Sequence, residues 1–465
     1  MDEWLDQEID LAAFPDARLG ARFRSLLKGL TDHVGNPIPV ACQDWAATKA
    51  AYRFFDNPRI DESHILSGHF AATASRFAAT SGFVRVLHDT TEFSYKRANP
   101  ELIGKTNEIY LGKDKDGHPK THTVCGLLMH SSLVVTSAGV PLGLGAVKFW
   151  TRKEFKGSKA LKKSGKLQRI PIEEKESYRW IENVRRSTHL LAEPERCVHI
   201  ADREGDIYEL FTEMREIGTH FLIRFHVERM AGDEGETITN ELAKAEVAGV
   251  HRVEVKDKSG NARVAELQVK YARMTVHPPK GKQDPHPSLE LTAIHAYEEN
   301  PPPGEERIEW KLLTDLPVEN FQEAVEKLDW YAQRWKIETF HKILKSGCRA
   351  EDSKLRTAER LTCLLSMYCI VAWRIFWLCM VNRSDSEAPA DLVFTDTEVR
   401  ILVRMSPKME RKDSPRVSDC LRAVACLGGY LARRRDPPPG NMILWRGFRR
   451  LIDICMGFDI REKCG

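Results

Sequence analysis

The stretch CVHIADREGD, residues 197–206, decides the fold. Its first five residues form an apolar run broken only by one histidine, and charge bounds it on both sides. A short continuous apolar run reads as a strand buried on both faces, as in parallel sheets. Asp202 closes the run, a helical pattern follows from about Asp206 to Ile217, and His220 to His226 reads as another strand. Strands interleaved with helices predict an α/β core.

The same pattern occurs upstream. Phe83 to Leu87 is a short alternating strand, and VRVLHDTT (84–91) puts Asp89 just beyond its carboxyl end. An Asp there can point into a crevice of an open α/β sheet, and it can equally be an Asx-turn residue that ends the strand. Two strand-end carboxylates in one sheet could converge. Residues 10–80 read as helical, with amphipathic stretches near 16–30 and 43–56. Leu127 to Thr136 and Val140 to Phe149 are β-rich runs joined at Gly139, and Glu174 to Leu191 is helix-like. Residues 230–300 are polar, with short strands at His251 to Val255 and Glu266 to Tyr271, and look like a β-rich insertion. Arg307 to Thr314 is again a strand. Long helices follow at about 318–346 and 354–382, then a helical C-terminal third with a turn at Pro437 to Gly440.

Composition sets the outer bounds. At 465 residues the chain has room for two or three domains, and 42% hydrophobic with 29% charged residues is an ordinary globular balance. No apolar run is expected to reach the roughly 20 residues that span a bilayer, so no membrane partner is expected. The acidic N-terminus does not resemble a signal peptide. Eleven cysteines, an odd number without C-x-x-C, read as reduced cytosolic thiols and argue against a zinc finger. The net charge of +3 argues for no partner by itself. Its distribution says more: nine Lys/Arg stand against Glu154 between Lys148 and Arg169, in a segment with Gly and Ser that reads as a loop. Such a run is either simply solvated or contacts phosphates. Arg18, Arg22, Arg24 and Lys28 recur at helical spacing, and smaller basic clusters sit at 433–435 and 446–450.

Two nucleotide motifs can be set aside. Gly104-Lys105-Thr106 mimics the end of a P-loop, but Asn99 stands where its first glycine belongs. Gly143 and Gly145 begin a G-x-G, but Lys148 occupies the third glycine position. The helix read over Leu328–Ser346 is more informative. At 100° per residue, Tyr331, Arg334, Glu338 and Lys345 fall in a wedge about 60° wide, with Ile337, Phe340, Ile343 and Leu344 broadly opposite. The plainer reading is a solvated amphipathic face. The chemical one is that two strand-end Asp and a helical Glu supply the hard oxygen ligands of a two-metal phosphoryl-transfer site, flanked by cations for phosphate.

These residues carry a resemblance. The sequence resembles the bacterial cut-and-paste DDE transposases of insertion sequences, in the subgroup with a Y-(2)-R-(3)-E-(6)-K signature. Here it is Tyr331, Arg334, Glu338 and Lys345 in YAQRWKIETFHKILK. The acidic motifs are HDTTEFSY with Asp89 and ADREGDIYE with Asp202, and EKESYRW (174–180), AYRFFDNP (51–58) and LGGYLARRR (427–435) also match. The likeness spans nearly the whole chain. The first acidic motif departs from the pattern in carrying Glu92.

The resemblance implies an RNase H-like α/β core over 71–375 with a β-rich insertion at 230–303. It implies an all-helical transposon-end-binding domain over 1–70 and an all-helical dimerisation domain over 376–465. Asp89, Asp202 and Glu338 would be catalytic and hold two Mg²⁺ or Mn²⁺ ions. Tyr331, Arg334, Lys345, Lys342 and Arg224 would bind DNA, and Trp310 would accept a flipped base. The partners would be DNA, as terminal inverted repeats and target, and a second copy of the chain, in the bacterial cytoplasm. The core motifs alone leave open an RNase H-like nuclease without strand transfer, or a non-catalytic DNA-binding relative.

Overall fold

The computed structural model describes residues 3–464 apart from 114–118, 153–169, 233–234, 257–261, 385–388, 407–408, 410–413, 434–435 and 437. Most of the lysine-rich segment therefore lies outside the described residues, as do Arg434, Arg435 and Pro437 of the C-terminal basic cluster and turn.

The chain opens with five helices: α1 (Glu3–Gln7), α2 (Ala17–Asp32), α3 (Ile38–Cys42), α4 (Trp45–Phe55) and α5 (Glu62–Ala78). The side chains of Asp16, Asp44 and Asp61 cap α2, α4 and α5 by accepting from otherwise unpaired first-turn N–H groups, each worth about 1 kcal/mol. Phe23 and Leu27 of α2 and Phe54 of α4 are fully buried, so the amphipathic faces read from sequence meet each other.

The sheet follows: β1 (Val84–Ser94), β2 (Lys105–Lys113), β3 (Pro119–Val135), β4 (Pro141–Trp150), α6 (Tyr178–Leu191), β5 (Cys197–Ala201), α7 (Tyr208–Ile217) and β6 (His220–Arg224). β1, β3 and β4 form an antiparallel meander, and β5 and β6 continue the sheet parallel to β1. Three meandering strands and two more parallel to the first make the centre expected of an RNase H-like core. All five residues of β5 are buried, as a strand covered on both faces requires.

β1 corrects the reading of Asp89. The strand does not stop at Leu87 but runs through Asp89 to Ser94, because β3 pairs with it antiparallel as far as Ser94↔Gly126. Asp89 is therefore an in-strand residue. It lies beyond the last parallel pair with β5, Leu87↔Ile200. Gly104-Lys105-Thr106 leads into a strand rather than a helix, as rejection of a P-loop requires.

The segment after β6 holds β7 (Met230–Ala231), β8 (Glu236–Thr237), α8 (Ile238–Lys244), β9 (Gly249–Lys256), β10 (Ala262–Val276) and β11 (Leu289–Glu298), then β12 (Glu309–Thr314). These strands are longer than the alternation implied, and β11 had no separate signal. They do not stand apart: β12 pairs with both β6 and β11, so the central sheet continues outward through β10.

The helix expected over 318–346 is broken. α9 (Phe321–Ala332) ends at Gln333, α10 (Trp335–Lys342) begins after Arg334, and Ile343–Gly347 is a π-helical turn. No Gly or Pro marks the break; tertiary contacts make it. Gln333 donates to Ser137 O at 3.2 Å, and Lys336 Nζ donates to Gly139 O at 3.0 Å. Gly139 has φ +79°, and a Cβ there would overlap Lys336 Nζ. A uniform helical wheel across 331–345 therefore does not hold.

The last helices are α11 (Ala358–Ser384), α12 (Asp396–Met405), α13 (Val417–Leu427) and α14 (Asn441–Cys464). α5 runs across position 70 and α11 across position 375. α11 also corrects the membrane argument. Over Ala358–Val381 it is long and apolar enough to cross a bilayer, its charged residues being Glu359, Arg360 and Arg374. In the fold it is a core helix, with Met367, Cys369, Ile370 and Ala372 fully buried in the protein.

Candidate active site

Register sets two of the carboxylates level. β1 and β5 are parallel with Leu87 beside Ile200, and Asp202 keeps an extended backbone beyond β5. Two residues further on, Asp89 and Asp202 share one face of adjacent strands, which in sheets lie about 4.8 Å apart. Asp202 also caps the short 3₁₀ turn Arg203–Gly205 by accepting from Glu204 N at 2.9 Å. α10 packs against β1 and brings Glu338 to the same place. Ile337 and Phe340 of that helix are fully buried, while Glu338 is exposed.

The electrostatics show the proximity. Burial, followed by the charges of Asp89 and Glu338, raises the pKa of Asp202 against the pull of one backbone N–H and Arg334. Arg334 pairs with Glu338 at 2.5 Å. Tyr331, 5% exposed, meets Trp310 edge-on at 5.7 Å, and its hydroxyl is pushed up by burial, against the pull of Arg334 and Arg224. Arg224, the last residue of β6, donates to Glu309 O at 2.8 Å. Lys345 Nζ lies 5.7 Å from the Phe93 ring centre, on the π-helical turn. Asp89, Asp202, Glu338, Tyr331, Arg334, Arg224 and Trp310 thus gather beside the middle of β1, at the carboxyl ends of β5 and β6. Lys342 is exposed on α10, one turn beyond Glu338. Glu92 turns aside: its carboxylate accepts from Thr106 Oγ1 of β2 at 2.5 Å.

Sequence reasoning missed several neighbours. Glu204 feels both Asp202 and Asp89, and its pKa is raised, first by burial. Arg179 of α6 holds it at 2.6 Å and also donates to Thr90 Oγ1 at 3.2 Å. His341 approaches Asp89. Behind the sheet face His88, His130 and His199 are buried, and burial lowers the pKa of all three, so they are neutral hydrogen-bonding groups. The signal was present: a histidine inside a fully apolar strand, as in CVHIA, needs a partner.

Three domain comparisons now bear on the chain. Residues 1–60 match the family described as Transposase DNA-binding, residues 180–374 match Transposase DDE domain, and residues 370–459 match Transposase Tn5 dimerisation domain. The chain is a DNA transposase. Its three matches stand in the order binding, catalysis, dimerisation, and the DDE match includes Asp202 and Glu338. DNA and a second copy of the transposase are its partners, and divalent metal ions are the cofactors of its DDE family.

The carboxylates suit such an ion chemically, since hard oxygen donors bind Mg²⁺ and Mn²⁺. Their mutual repulsion, read in Asp202, is a charge excess that a cation relieves. Among the described residues no three acidic, His or Cys side chains are drawn together into a ready ligand cluster. Arg334 holds the Glu338 carboxylate at 2.5 Å. A cavity of about 440 Å³ lined by Trp4, Trp373, Arg374 and Trp445 lies elsewhere and contains none of the carboxylates.

Proposed function

We propose that the transposase performs cut-and-paste transposition with Asp89, Asp202 and Glu338 as its catalytic carboxylates, in the manner of the transposase of the composite kanamycin-resistance transposon. The observation that supports this best is the level placement of Asp89 and Asp202 on neighbouring parallel strands with Glu338 facing them from α10. Residues 1–70 bind the terminal inverted repeats, 71–375 carry the chemistry with 230–303 as its β-rich insertion, and 376–465 join two copies in a synapse.

The three carboxylates would hold two Mg²⁺ or Mn²⁺ ions. Such ions, when bound, supply positive charge at the attacking and leaving oxygens of an in-line displacement. The remaining work belongs to the chain. Arg334 exchanges Glu338 for a phosphate oxygen, a bidentate geometry that a guanidinium favours. Tyr331, Lys345, Lys342 and Arg224 hold the backbone of the transposon end, and Trp310 stacks on a base turned out of the duplex. Water cleaves one strand, breaking a P–O bond and leaving a 3′-OH. That hydroxyl attacks the opposite strand to close a hairpin, water reopens it, and the freed 3′-OH attacks target DNA. Each step makes one P–O bond and breaks one, so a single site can serve all four.

The test is a cleavage assay on a linear duplex carrying the element's terminal repeat and its flank. Metal-dependent breaks at the repeat boundary with hairpin and joined products are expected. Breaks without hairpins or joined products would leave a nuclease. End binding without cleavage in Mg²⁺ or Mn²⁺ would make the three carboxylates vestigial.

A further inference from the structure

His341 lies three residues beyond Glu338 on α10 yet is buried, 5% exposed. Its ring reaches two strands at once. Nδ1 is 3.4 Å from Asp89 Oδ2, and Nε2 is 2.8 Å from Ser131 Oγ. Ser131 is the residue directly opposite Asp89 in the β1–β3 ladder. The ring therefore stands against both strands at the level of Asp89 itself. The tautomer with its proton on Nδ1 faces that proton to the carboxylate and leaves Nε2 to accept the serine hydroxyl. Among the described residues no Lys or Arg side chain comes within ion-pair distance of Asp89.

We propose that His341 is a positioning residue that fixes the Asp89 carboxylate relative to Glu338. One residue braces the helix bearing Glu338 against the two strands that present Asp89. Without the ring, α10 and β1 keep their apolar packing through Ile337 and Phe340, both fully buried, but the Asp89 carboxylate is free to rotate. The inference rests on the reading of Asp89 and Glu338 as catalytic carboxylates.

The two ring nitrogens can be separated. An asparagine amide reaches about as far as Nδ1, and a glutamine amide about as far as Nε2. H341N therefore preserves the contact with Asp89, whereas H341Q preserves only that with Ser131. The full-length protein would be assayed on the terminal-repeat duplex for cleavage, end binding and melting temperature. Mn²⁺ affinity of the protein–DNA complex would be read from the free-ion electron-spin signal. H341A is expected to lose on the order of 10–100-fold in cleavage and in Mn²⁺ affinity, the usual cost of removing a group that orients a metal ligand. H341N should recover most of both and H341Q little of either, with end binding unchanged in all three.

Wild-type Mn²⁺ affinity in H341A, or better rescue by Gln than by Asn, overturns the proposal. So does a loss that tracks melting temperature in all three variants. Asp89→Asn in the same assay separates the two readings. If it cleaves at the wild-type rate, the assignment of Asp89 fails; if it is inactive while the His341 series is out of order, only the positioning role fails.

Discussion

Two carboxylates of this protein, Glu8 and Asp202, are both withdrawn from solvent, and they shift in opposite directions. Glu8 is 1% exposed behind α1. His69 Nδ1 reaches it at 2.5 Å and Arg76 at 2.5 Å. Arg76 also donates to Leu142 O, and its guanidinium lies over Trp373 of α11 at 4.2 Å. His69 Nε2 accepts from Leu144 N at 3.0 Å. Burial opposes the charge of Glu8, but these two partners outweigh it and hold its pKa below 4.5. Burial, and after it the like charges of Asp89 and Glu338, raises the pKa of Asp202 against one backbone donor and the charge of Arg334. Charge buried for architecture is closed off inside the protein, tying α5, β4 and α11 together. Charge at the cleft is left open for something from outside.

The sharpest way to break this comparison is Asp202→Asn. Cleavage should fall at least a thousandfold, about 4 kcal/mol of transition-state stabilisation, while end binding holds. The melting temperature should stay level or rise, because removing a repelled charge relieves the fold. A clear drop in melting temperature would mean that Asp202 is architectural.

Glu8→Ala should do the reverse. It strands the part-buried Arg76 guanidinium and leaves the buried His69 Nδ1 without its acceptor, and is expected to cost about 3–5 kcal/mol of stability in denaturant titration. Cleavage per folded molecule should be unchanged at low temperature. Metal gives the next effect. Saturating Mn²⁺, at about 100 times its dissociation constant, should stabilise the wild type by about 2.7 kcal/mol, seen as a raised melting temperature. That gain should persist in a Glu8→Gln background and vanish in Asp89→Asn.

The smallest effect is in pH. The pKa of Glu8 is lower folded than unfolded, so its stabilisation is complete above the unfolded value and is lost as pH falls through the folded one. In that acid window the wild type should lose up to about 1.4 kcal/mol per pH unit from this group. Glu8→Gln should lack this component when melts are compared across pH.

Much of this was legible before any coordinates. β5 spans Cys197–Ala201, as its apolar run indicated, since a strand buried on both faces has no other pattern. The motifs around Asp89, Asp202 and Tyr331-Arg334-Glu338 were readable because chemistry needs those residue types at those places. His341 was not, although it lies within the quoted motif. A buried histidine at helical spacing looks like any core residue until its partner strand is known. The extent of β1 was equally hidden, because Thr90 to Ser94 joins the sheet only when β3 lies beside it.

What the sequence by itself determined was local: most of the strands and helices, which carboxylates end apolar runs, and that the cysteines form no C-x-x-C. Periodicity and residue chemistry are properties of neighbours in the chain. What only the tertiary structure decided was relational. The break between α9 and α10 comes from bonds to Ser137 and Gly139, nearly two hundred residues away in the chain. The apolar α11 is a core helix because the rest of the protein covers it. Whether a buried carboxylate is pulled down like Glu8 or pushed up like Asp202 depends on which charges the fold places beside it. Coulomb energy depends on distance through space, and separation along the chain does not fix that distance.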